Sequence, residues 1–178
     1  MIHFMEQPIR GVYLVDNFSA TDDRGLFVKT LSASRVQHFG SEGFFRESYY
    51  SRSKKDVIRG MHFQVPPFDH EKLVYVTEGR VVDVVLDLRL SSSTFGHHLA
   101  FTLEAFGPSL LIPRGCAHGF MVLSENATIV YNVSTEYHQT ADKGILWNSF
   151  GFNWGIDKPI LSERDQAFPS FGDQSYFE

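Results

Sequence analysis

Charged and polar side chains interrupt a β-forming segment at residues 57–89, VIRGMHFQVPPFDHEKLVYVTEGRVVDVVLDLR. Four of them stand among Val, Ile, Leu and Tyr residues that would otherwise fill a buried sheet: Arg59, His62, Lys72 and Asp83. Histidine titrates near neutral pH and can act as a general base, and a lysine can stabilise a developing oxyanion. These residue types indicate a polar pocket. An exposed ion pair between Lys72 and Asp83 is the simpler alternative.

The stretch from Lys72 to Val85 is predicted to form a hairpin that turns at Glu78 and Gly79. Glycine at the second turn position suits a two-residue hairpin loop. In this register Val74 pairs with Asp83, so Lys72 and Asp83 become diagonal neighbours on one face of the sheet. The pattern therefore predicts a charged pair on one wall of a sheet.

Short β-forming segments separated by turn residues run along the chain, and this spacing favours an antiparallel sandwich or barrel over alternating βαβ units. The predicted strands lie at residues 11–16, 25–31, 44–53, 57–63, 72–77, 80–89, 97–105, 109–113, 118–123 and 127–134. A short helix is predicted over residues 32–40 and a helical turn near residues 161–168. Residues 1–178 are predicted to form a single domain.

Composition excludes several classes of protein. The net charge of -5 argues against a general nucleic-acid binder. The sequence has no apolar run near the roughly 20 residues of a membrane span, and no signal pattern, so a cytoplasmic protein without a membrane partner is expected. The single cysteine, Cys116, allows neither an intrachain disulfide nor a cysteine metal cluster, and is predicted to be a small core residue. The 17 Phe residues suit a β-rich core or a subunit interface.

A metal site is one interpretation of the scattered histidines. A metal-binding cupin, which is a small β-barrel, needs several converging His and carboxylate ligands and often begins them with His-x-His. Gln64 stands where the second histidine would be, which leaves His62, Glu71 and His118 as candidate ligands. His70 is expected to be solvated in its loop. A metal-dependent cupin, an oxygenase or a sugar isomerase, stays open as the alternative function.

A series of motifs gives a more specific interpretation. They are DDRGLF at residues 22–27, RGMHFQ at 59–64, the KLV to DLR stretch at 72–89, SSTFG at 92–96, IPRGCAHGF at 112–120, the tyrosines at 131 and 137, and LSERD at 161–165. In this order and spacing the chain resembles the dTDP-4-dehydrorhamnose 3,5-epimerase family over almost its whole length.

The resemblance implies a cupin-type jelly-roll antiparallel β-barrel with short peripheral helices, assembled as a homodimer whose N-terminal strand reaches its partner. It implies an epimerase with no metal and no cofactor that acts on a nucleotide-linked 4-keto-6-deoxyhexose. Inversion at C3, at C5 or at both is open, and the product would serve deoxysugar and surface-polysaccharide synthesis. A catalytically silent sugar-nucleotide binding module is a further alternative.

The resemblance also implies roles for individual residues. His62 would be the general base with Asp165 behind it, Lys72 would stabilise the enolate oxygen, and Tyr131 would be the acid on the other face of the sugar. The residues assigned to substrate binding are Arg24, Phe27, Lys29, Glu47, Tyr49, Arg59, Asp83, His118 and Tyr137.

Three of these positions depart from the family pattern, which has Glu at the position of Lys29 and Gln and Asn at those of Glu47 and Tyr49. An ionised glutamate can only accept hydrogen bonds, whereas a glutamine can donate or accept. Glu47 would therefore suit a base with an exocyclic amine, so the substrate is expected to be linked to dTDP or CDP. Drift within the family is the alternative explanation.

Overall fold

The fold is described from a computed structural model at residues 3–32, 45–172 and 177. Within these residues the chain forms three antiparallel sheets and one helical turn, α1 (Glu163–Gln166). The predicted all-β class is confirmed, and so is the helical turn near residues 161–168. The helix predicted over residues 32–40 falls almost entirely outside the described residues. No helix in the described part of the chain is long and apolar enough to cross a membrane.

Two large sheets face each other, as in a jelly roll. From edge to edge, the larger contains β1 (Phe4–Glu6), β2 (Tyr13–Val15), β10 (Ser109–Ile112), β7 (Lys72–Glu78), β12 (Asn126–Val133) and β5 (Glu47–Lys54). The smaller contains β13 (Asp142–Gly144), β6 (Ile58–Gln64), β11 (Cys116–Val122), β8 (Arg80–Asp87) and β9 (His98–Glu104). A separate two-stranded hairpin is formed by β3 (Phe18–Asp22) and β4 (Gly25–Lys29).

The main core lies between the two large sheets. Val74 and Ile129 from the six-stranded sheet belong to the same buried cluster as Val81, Val85 and Phe120 from the five-stranded sheet. Successive side chains on a strand point to opposite faces, so each strand contributes every second residue to this layer. Removal of these apolar groups from water is the main force that holds the sheets together.

A second apolar cluster covers the outer face of the five-stranded sheet. Val84 and Leu86 of β8 point to this side and pack with Ile145, Phe150 and Trp154 from the C-terminal part of the chain. The indole Nε1 of Trp154 also donates a hydrogen bond to the carbonyl oxygen of Trp147, 2.8 Å away. This packing fixes the segment that leads to α1.

The predicted hairpin between β7 and β8 is wrong. β7 pairs with β10 and β12, whereas β8 pairs with β9 and β11, so the two strands belong to different sheets. Gly79, with φ of 77°, carries the chain from one sheet to the other, and a Cβ at this position would lie 2.0 Å from the carbonyl oxygen of Asn126. Both strands are buried over most of their length, so alternation of polar and apolar residues does not identify the partner strand.

Lys72 and Asp83 nevertheless face the same space, because each points inward from its own sheet. Asp83 shares its face of β8 with Val81 and Val85, which lie in the main core. Lys72 likewise shares its face of β7 with Val74. The side chains that face one another between the sheets therefore change from apolar to polar toward one end.

The backbones of β6 and β11 approach unusually closely at a pair of glycines. Gly60 has φ of 133°, and a Cβ there would lie 2.5 Å from the Cα of Gly119. Its amide N–H also donates to Oδ2 of Asp165 over 3.2 Å. A side chain at position 60 would therefore disturb both the strand pair and the contact with α1.

We expect Gly60→Ala to lower the free energy of unfolding by about 2–4 kcal/mol, because backbone strain adds to a clash that rigid neighbours cannot relieve. Gly151→Ala is the matched control, since Gly151 also has a positive φ, 86°, but has nothing within 4 Å of its Cβ position. That control should cost only about 1–2 kcal/mol. Urea unfolding of both variants measures the difference, and equal losses would contradict the close approach.

Candidate active site

A cavity of about 400 Å³ lies at the polar end of the space between the sheets. Strands of both large sheets line it, and most of the site residues predicted from the sequence are in its wall. These are His62, Lys72, Tyr131, Glu47, Tyr49, Arg59, His118 and Tyr137. Asp165 and Asp83 lie behind this wall, each hydrogen-bonded to one of the histidines.

The side chain of His62 is oriented by Asp165. Nε2 of His62, on β6, lies 2.9 Å from Oδ1 of Asp165 on α1. The backbone N–H of Asp165 donates to Oγ of Ser162, which caps α1 and so fixes the position of the carboxylate. The Phe168 ring packs edge-on against the imidazole, with the two ring centroids 5.6 Å apart.

Asp165 remains ionised although it is buried. Burial alone would raise the pKa of the carboxyl, but hydrogen bonds from His62 and from the Gly60 N–H outweigh it, so the pKa of Asp165 is lowered. A carboxylate next to Nε2 accepts its hydrogen, which leaves the lone pair of the imidazole on Nδ1. His62 is thereby set up as a base.

Lys72 is the buried cation of the site. Only 5% of its surface is exposed, and Nζ donates to the carbonyl oxygen of His62 over 3.2 Å. Burial lowers the pKa of Lys72 to about 8, and the nearby charges of Asp142 and Asp83 offset part of this effect. A protonated amine in so dry a place interacts strongly with any negative charge that develops next to it.

Tyr131 lies on the opposite wall from His62, since it comes from β12 of the six-stranded sheet. Its ring stacks on Tyr49 at 4.8 Å between centroids, and its hydroxyl lies 3.4 Å from Oγ of Ser51. Burial is the main reason that the pKa of Tyr131 is raised. The phenol therefore keeps its proton at neutral pH.

His118 and Asp83 form a second histidine–carboxylate pair. Nε2 of His118, on β11, is 2.9 Å from both carboxylate oxygens of Asp83 on the neighbouring strand β8. Both side chains are almost fully buried. His118 lines the cavity and Asp83 orients it from behind.

A more open group of side chains extends the cavity away from Lys72. Nε of Arg59 donates to Oγ of Ser53 over 2.9 Å. Oε2 of Glu47 accepts the backbone N–H of Tyr137 at 2.7 Å, which holds the mostly exposed Tyr137 ring at the rim. An aromatic ring and a guanidinium at the rim can stack on a base and bind a phosphate.

Besides Asp83, which lies behind the wall, three predicted substrate-binding residues do not line this cavity. Arg24, Phe27 and Lys29 belong to the hairpin formed by β3 and β4, and Phe27 is 58% exposed. Arg24 is in an ion pair with Asp22 within the hairpin. The cavity of the single chain is therefore built without them.

Nine of the residues that line the cavity were not among the predicted site residues, and four of these nine carry an amide or an ionisable group: Gln64, His70, Asp142 and Arg164. Nη2 of Arg164 lies 2.6 Å from Oδ2 of Asp142. Arg164 could have been predicted as a cavity residue, because it is next to Asp165 in the LSERD motif. The prediction of a solvated His70 is wrong, because its side chain lines the cavity and its imidazole Nε2 is buried.

The metal interpretation is not favoured. In residues 3–32, 45–172 and 177, no three His, Cys, Asp or Glu side chains converge as metal ligands. Nε2 of His62 and Nε2 of His118 each face an aspartate instead. Glu71, the third candidate ligand, does not line the cavity.

A base and an acid on opposite walls, with a buried cation in the same cavity, can move protons at a carbon next to a carbonyl group. Fold and site together define an all-β isomerase of the epimerase type. Residues 6–173 match the family described as dTDP-4-dehydrorhamnose 3,5-epimerase. The chain belongs to this family.

Individual relatives agree with this assignment. The dTDP-4-dehydrorhamnose 3,5-epimerase of Escherichia coli K12 is 40% identical over 165 residues, which cover 89% of this chain and 88% of the relative. The crystal structure of the Elizabethkingia anophelis epimerase of the same name has 34% identity and a TM-score of 0.91, with 98% of this chain and 99% of that chain covered. The Legionella pneumophila enzyme, solved with dTDP-4-keto-L-rhamnose, has 31% identity and a TM-score of 0.90, with 96% and 93% covered.

We expect Lys72→Met to stabilise the protein by about 2–3 kcal/mol at pH 7, since a pKa difference of one unit is worth about 1.4 kcal/mol. Because the folded-state pKa of about 8 lies below the ordinary 10.5, the cost of the buried charge is fully present below pH 8. The cost disappears as the pH rises to the unfolded-state value.

The difference in unfolding free energy between parent and variant should therefore shrink between pH 8 and pH 10.5, as measured by urea unfolding at several pH values. Lys158→Met, at an exposed lysine, is the control and should change little. A destabilised Lys72→Met protein at pH 7 would contradict the assigned cost of burial.

Proposed function

We propose that this protein inverts one or two carbons of a nucleotide-linked 4-keto-6-deoxyhexose, at C3, at C5 or at both, by proton transfer next to the C4 ketone and without a cofactor. The observation that carries the proposal is the placement of His62 and Tyr131 on opposite walls of one cavity, with Lys72 buried in the same cavity. The product would serve deoxysugar and surface-polysaccharide synthesis, and we place the enzyme in the cytoplasm.

In the first step the lone pair on Nδ1 of His62 takes the proton from the carbon next to the ketone. The hydrogen bond between Nε2 and Asp165, 2.9 Å long, holds the ring in the tautomer that this step requires. The carboxylate also stabilises the imidazolium that forms. The electron pair of the broken C–H bond moves onto the ketone oxygen, which becomes an enolate.

The Lys72 ammonium stabilises the enolate oxygen. A strand fixes its position, so little reorganisation is needed when the charge develops. In the second step the Tyr131 hydroxyl gives its proton to the carbon from the opposite face, which inverts the configuration. The raised pKa of Tyr131 ensures that the hydroxyl carries this proton at the start of the step.

The decisive experiment is incubation with dTDP-4-keto-6-deoxyglucose in heavy water, with NMR of the hydrogens at C3 and C5. Exchange at both carbons indicates a 3,5-epimerase, and exchange at one indicates a mono-epimerase, because one base can serve both carbons if the sugar shifts between steps. No exchange with any nucleotide tried would overturn the proposal. Binding without exchange would instead favour the silent binding module.

We expect His62→Ala to slow proton exchange about 10²–10⁴-fold with much smaller loss of binding, which is the usual cost of losing a general base. Tyr131→Phe should keep exchange but lose net inversion, because the carbanion can only be reprotonated from the side of His62. NMR follows exchange and inversion in one sample.

Two variants at exposed positions serve as controls for these substitutions, His97→Ala and Tyr50→Phe, and both should keep the parent rate. Normal inversion by Tyr131→Phe would remove this residue from the acid role.

The nucleotide preference is a separate part of the proposal. We propose CDP as the first candidate in place of dTDP, since Glu47 lies in the cavity wall and an ionised carboxylate can accept from the cytosine amine. Its bond to the Tyr137 N–H uses one oxygen and leaves acceptor capacity on the other. The family name, which carries dTDP, supports the rival view that Glu47 and Tyr49 are drift.

Competition binding of dTDP, UDP, CDP and GDP tests the preference, and CDP is expected to bind most tightly. Glu47→Gln should shift the preference toward dTDP, because the amide can also donate to a thymine carbonyl. A preference of the parent protein for dTDP by about tenfold, roughly 1.4 kcal/mol, would overturn the CDP assignment.

We further propose a homodimer in which the hairpin of β3 and β4 reaches the partner. This hairpin pairs with neither large sheet and exposes Phe18, Leu26 and Phe27. Apolar side chains of this size on a projecting hairpin suit a subunit interface. In a dimer, Arg24 and Lys29 would approach the partner's cavity instead of their own. Light scattering at micromolar concentration should give the mass of two chains, and the mass of one chain would contradict the dimer.

A further inference from the structure

The ring of Tyr49 packs against Tyr131, the acid of the proposed reaction. The two residues lie directly opposite each other on the neighbouring strands β5 and β12, and both line the cavity. Their rings are stacked, with centroids 4.8 Å apart and an angle of 16° between the planes. The reaction as proposed gives Tyr49 no task, although its ring covers one face of the phenol that would deliver a proton.

Two other contacts act on the Tyr131 side chain. Its hydroxyl lies 3.4 Å from Oγ of Ser51, which is long for a hydrogen bond between two hydroxyl groups and therefore weak. The rings of His118 and Tyr131 meet edge-on, with centroids 6.1 Å apart. Of these three contacts, the stack with Tyr49 joins the largest apolar surfaces, so it should contribute most to the orientation of the phenol.

Tyr49 also separates Tyr131 from water. The strand β5 is at the edge of the six-stranded sheet, and Tyr49 is 42% exposed there, whereas Tyr131 on the next strand inward is 7% exposed. The outer tyrosine therefore covers the inner one. An asparagine, which the family pattern has at position 49, provides no ring for such a stack, so this contact sets the chain apart from that pattern.

We propose that Tyr49 is a positioning residue: by stacking, its ring keeps the Tyr131 phenol oriented toward the sugar in the cavity. The inference rests on the proposed function, because it concerns the acid of that reaction. Loss of the stack would let the phenol turn away from the sugar. The intermediate would then be reprotonated more often from the side of His62, which restores the original configuration. Stacking needs a flat ring and no hydroxyl, so a phenylalanine can take the place of Tyr49.

The first test measures how often exchange of a carbon-bound hydrogen is accompanied by inversion. It uses dTDP-4-keto-6-deoxyglucose in heavy water, with NMR of both events at early times. We expect Tyr49→Ala and Tyr49→Leu to lower the ratio of inversion to exchange about three- to tenfold, which corresponds to the free energy of one aromatic pair. Tyr49→Phe should keep the ratio within about twofold of the parent value. Tyr50→Ala is the matched control, since Tyr50 is the next residue on β5 and is 72% exposed.

Thermal unfolding checks that each variant is folded, and Tyr49→Leu serves if Tyr49→Ala is not. A parent-like ratio in the folded loss variants would overturn the proposal. A ratio as low in Tyr49→Phe as in Tyr49→Ala would do the same, because the hydroxyl rather than the stack would then matter. Equal losses of exchange and inversion would also contradict it, since they indicate a general disturbance of the cavity.

A second test observes Tyr131 directly and needs no substrate. The seven tyrosines are labelled with ¹³C at Cζ, and the signal of Tyr131 is the one absent from Tyr131→Phe. Burial raises the pKa of Tyr131, and Tyr49 acts in the same direction. The parent signal should therefore stay unchanged up to about pH 10.5, at which an ordinary phenol with a pKa of 10.0 is mostly ionised. In Tyr49→Ala the exposed phenol should titrate in this range, whereas in Tyr49→Phe it should not.

The other groups around the Tyr131 phenol are the same in parent and variants. They are Asp83 on β8, Arg59 on β6, His118 on β11 and Lys72 on β7. Lys72, whose pKa is about 8, loses its charge before the phenol titrates in each of these proteins. A difference between Tyr49→Ala and Tyr49→Phe therefore reports the cover that the ring at position 49 provides.

The two tests separate this inference from the proposed function. If the parent exchanges no hydrogen of the sugar nucleotide, the epimerase proposal fails, whereas the Tyr131 signal still decides whether Tyr49 covers the phenol. If the parent exchanges and inverts but the Tyr131 signal titrates alike with and without a ring at position 49, the positioning role is overturned and the epimerase proposal stands.

Discussion

The burial of charge between two packed sheets is the constraint on which the rest of this structure depends. Lys72, Asp83 and Asp165 are nearly inaccessible to water, where an unpaired charge is costly. Each has a partner from a different element, since the two carboxylates bind His118 and His62 and the ammonium donates to a carbonyl oxygen. Lys72 therefore requires both large sheets to be in place, Asp165 requires α1 beside β6, and Asp83 requires β8 and β11 to be paired.

The apolar cluster on the outer face of the five-stranded sheet positions Asp165 relative to His62. Asp165 is 103 positions from His62 in the chain, so only tertiary packing can bring the two together. Phe150, Trp154 and Ile145 anchor the C-terminal segment on the sheet, and Ser162 begins α1 so that the carboxylate meets the imidazole. The hydrogen bond from Gly60 to the same carboxylate then ties α1 to the strand that carries His62. The His62 imidazole, packed against Phe168 and hydrogen-bonded to Asp165, therefore has little freedom to rotate.

Much of this fold could be predicted from the sequence, because strands rich in β-branched and aromatic residues and bounded by turn residues can be recognised from short stretches of sequence. The pairing of the strands could not be predicted. β7 and β8 are consecutive and joined by a glycine turn, which suggests a hairpin, but they belong to different sheets. Because both strands are buried on two faces, the residues near Gly79 give no sign that the chain changes sheet there. The short edge strands β1 and β13 were missed, since their three residues carry too little pattern.

The site shows the same division between local and tertiary information. The roles of His62, Lys72 and Tyr131 were assigned through a resemblance carried by their motifs. The separation of His62 and Tyr131 onto opposite walls follows from the order of the strands in the sheets. His70 was predicted to be solvated because its loop is rich in proline and charge. Gln64 holds this loop in place, because its amide binds both the His70 loop and the loop around His138. A side-chain hub that joins two loops leaves no periodic signal in a sequence.

The dry environment of the cavity shifts the pKa values of Lys72 and Tyr131 in opposite directions. Burial lowers the pKa of Lys72 and raises that of Tyr131, and both shifts favour the neutral form. In the proposed reaction each inversion would move one proton onto His62 and take another from Tyr131, so one wall of the cavity would gain a proton and the other would lose one. A buried tyrosinate is costly, so it must regain a proton before another inversion at a second carbon. His62 is about one third exposed, whereas Tyr131 is almost fully covered. Solvent therefore reaches His62 more readily than Tyr131, and in the proposed reaction the return of a proton to the tyrosine would be the slower of the two resets.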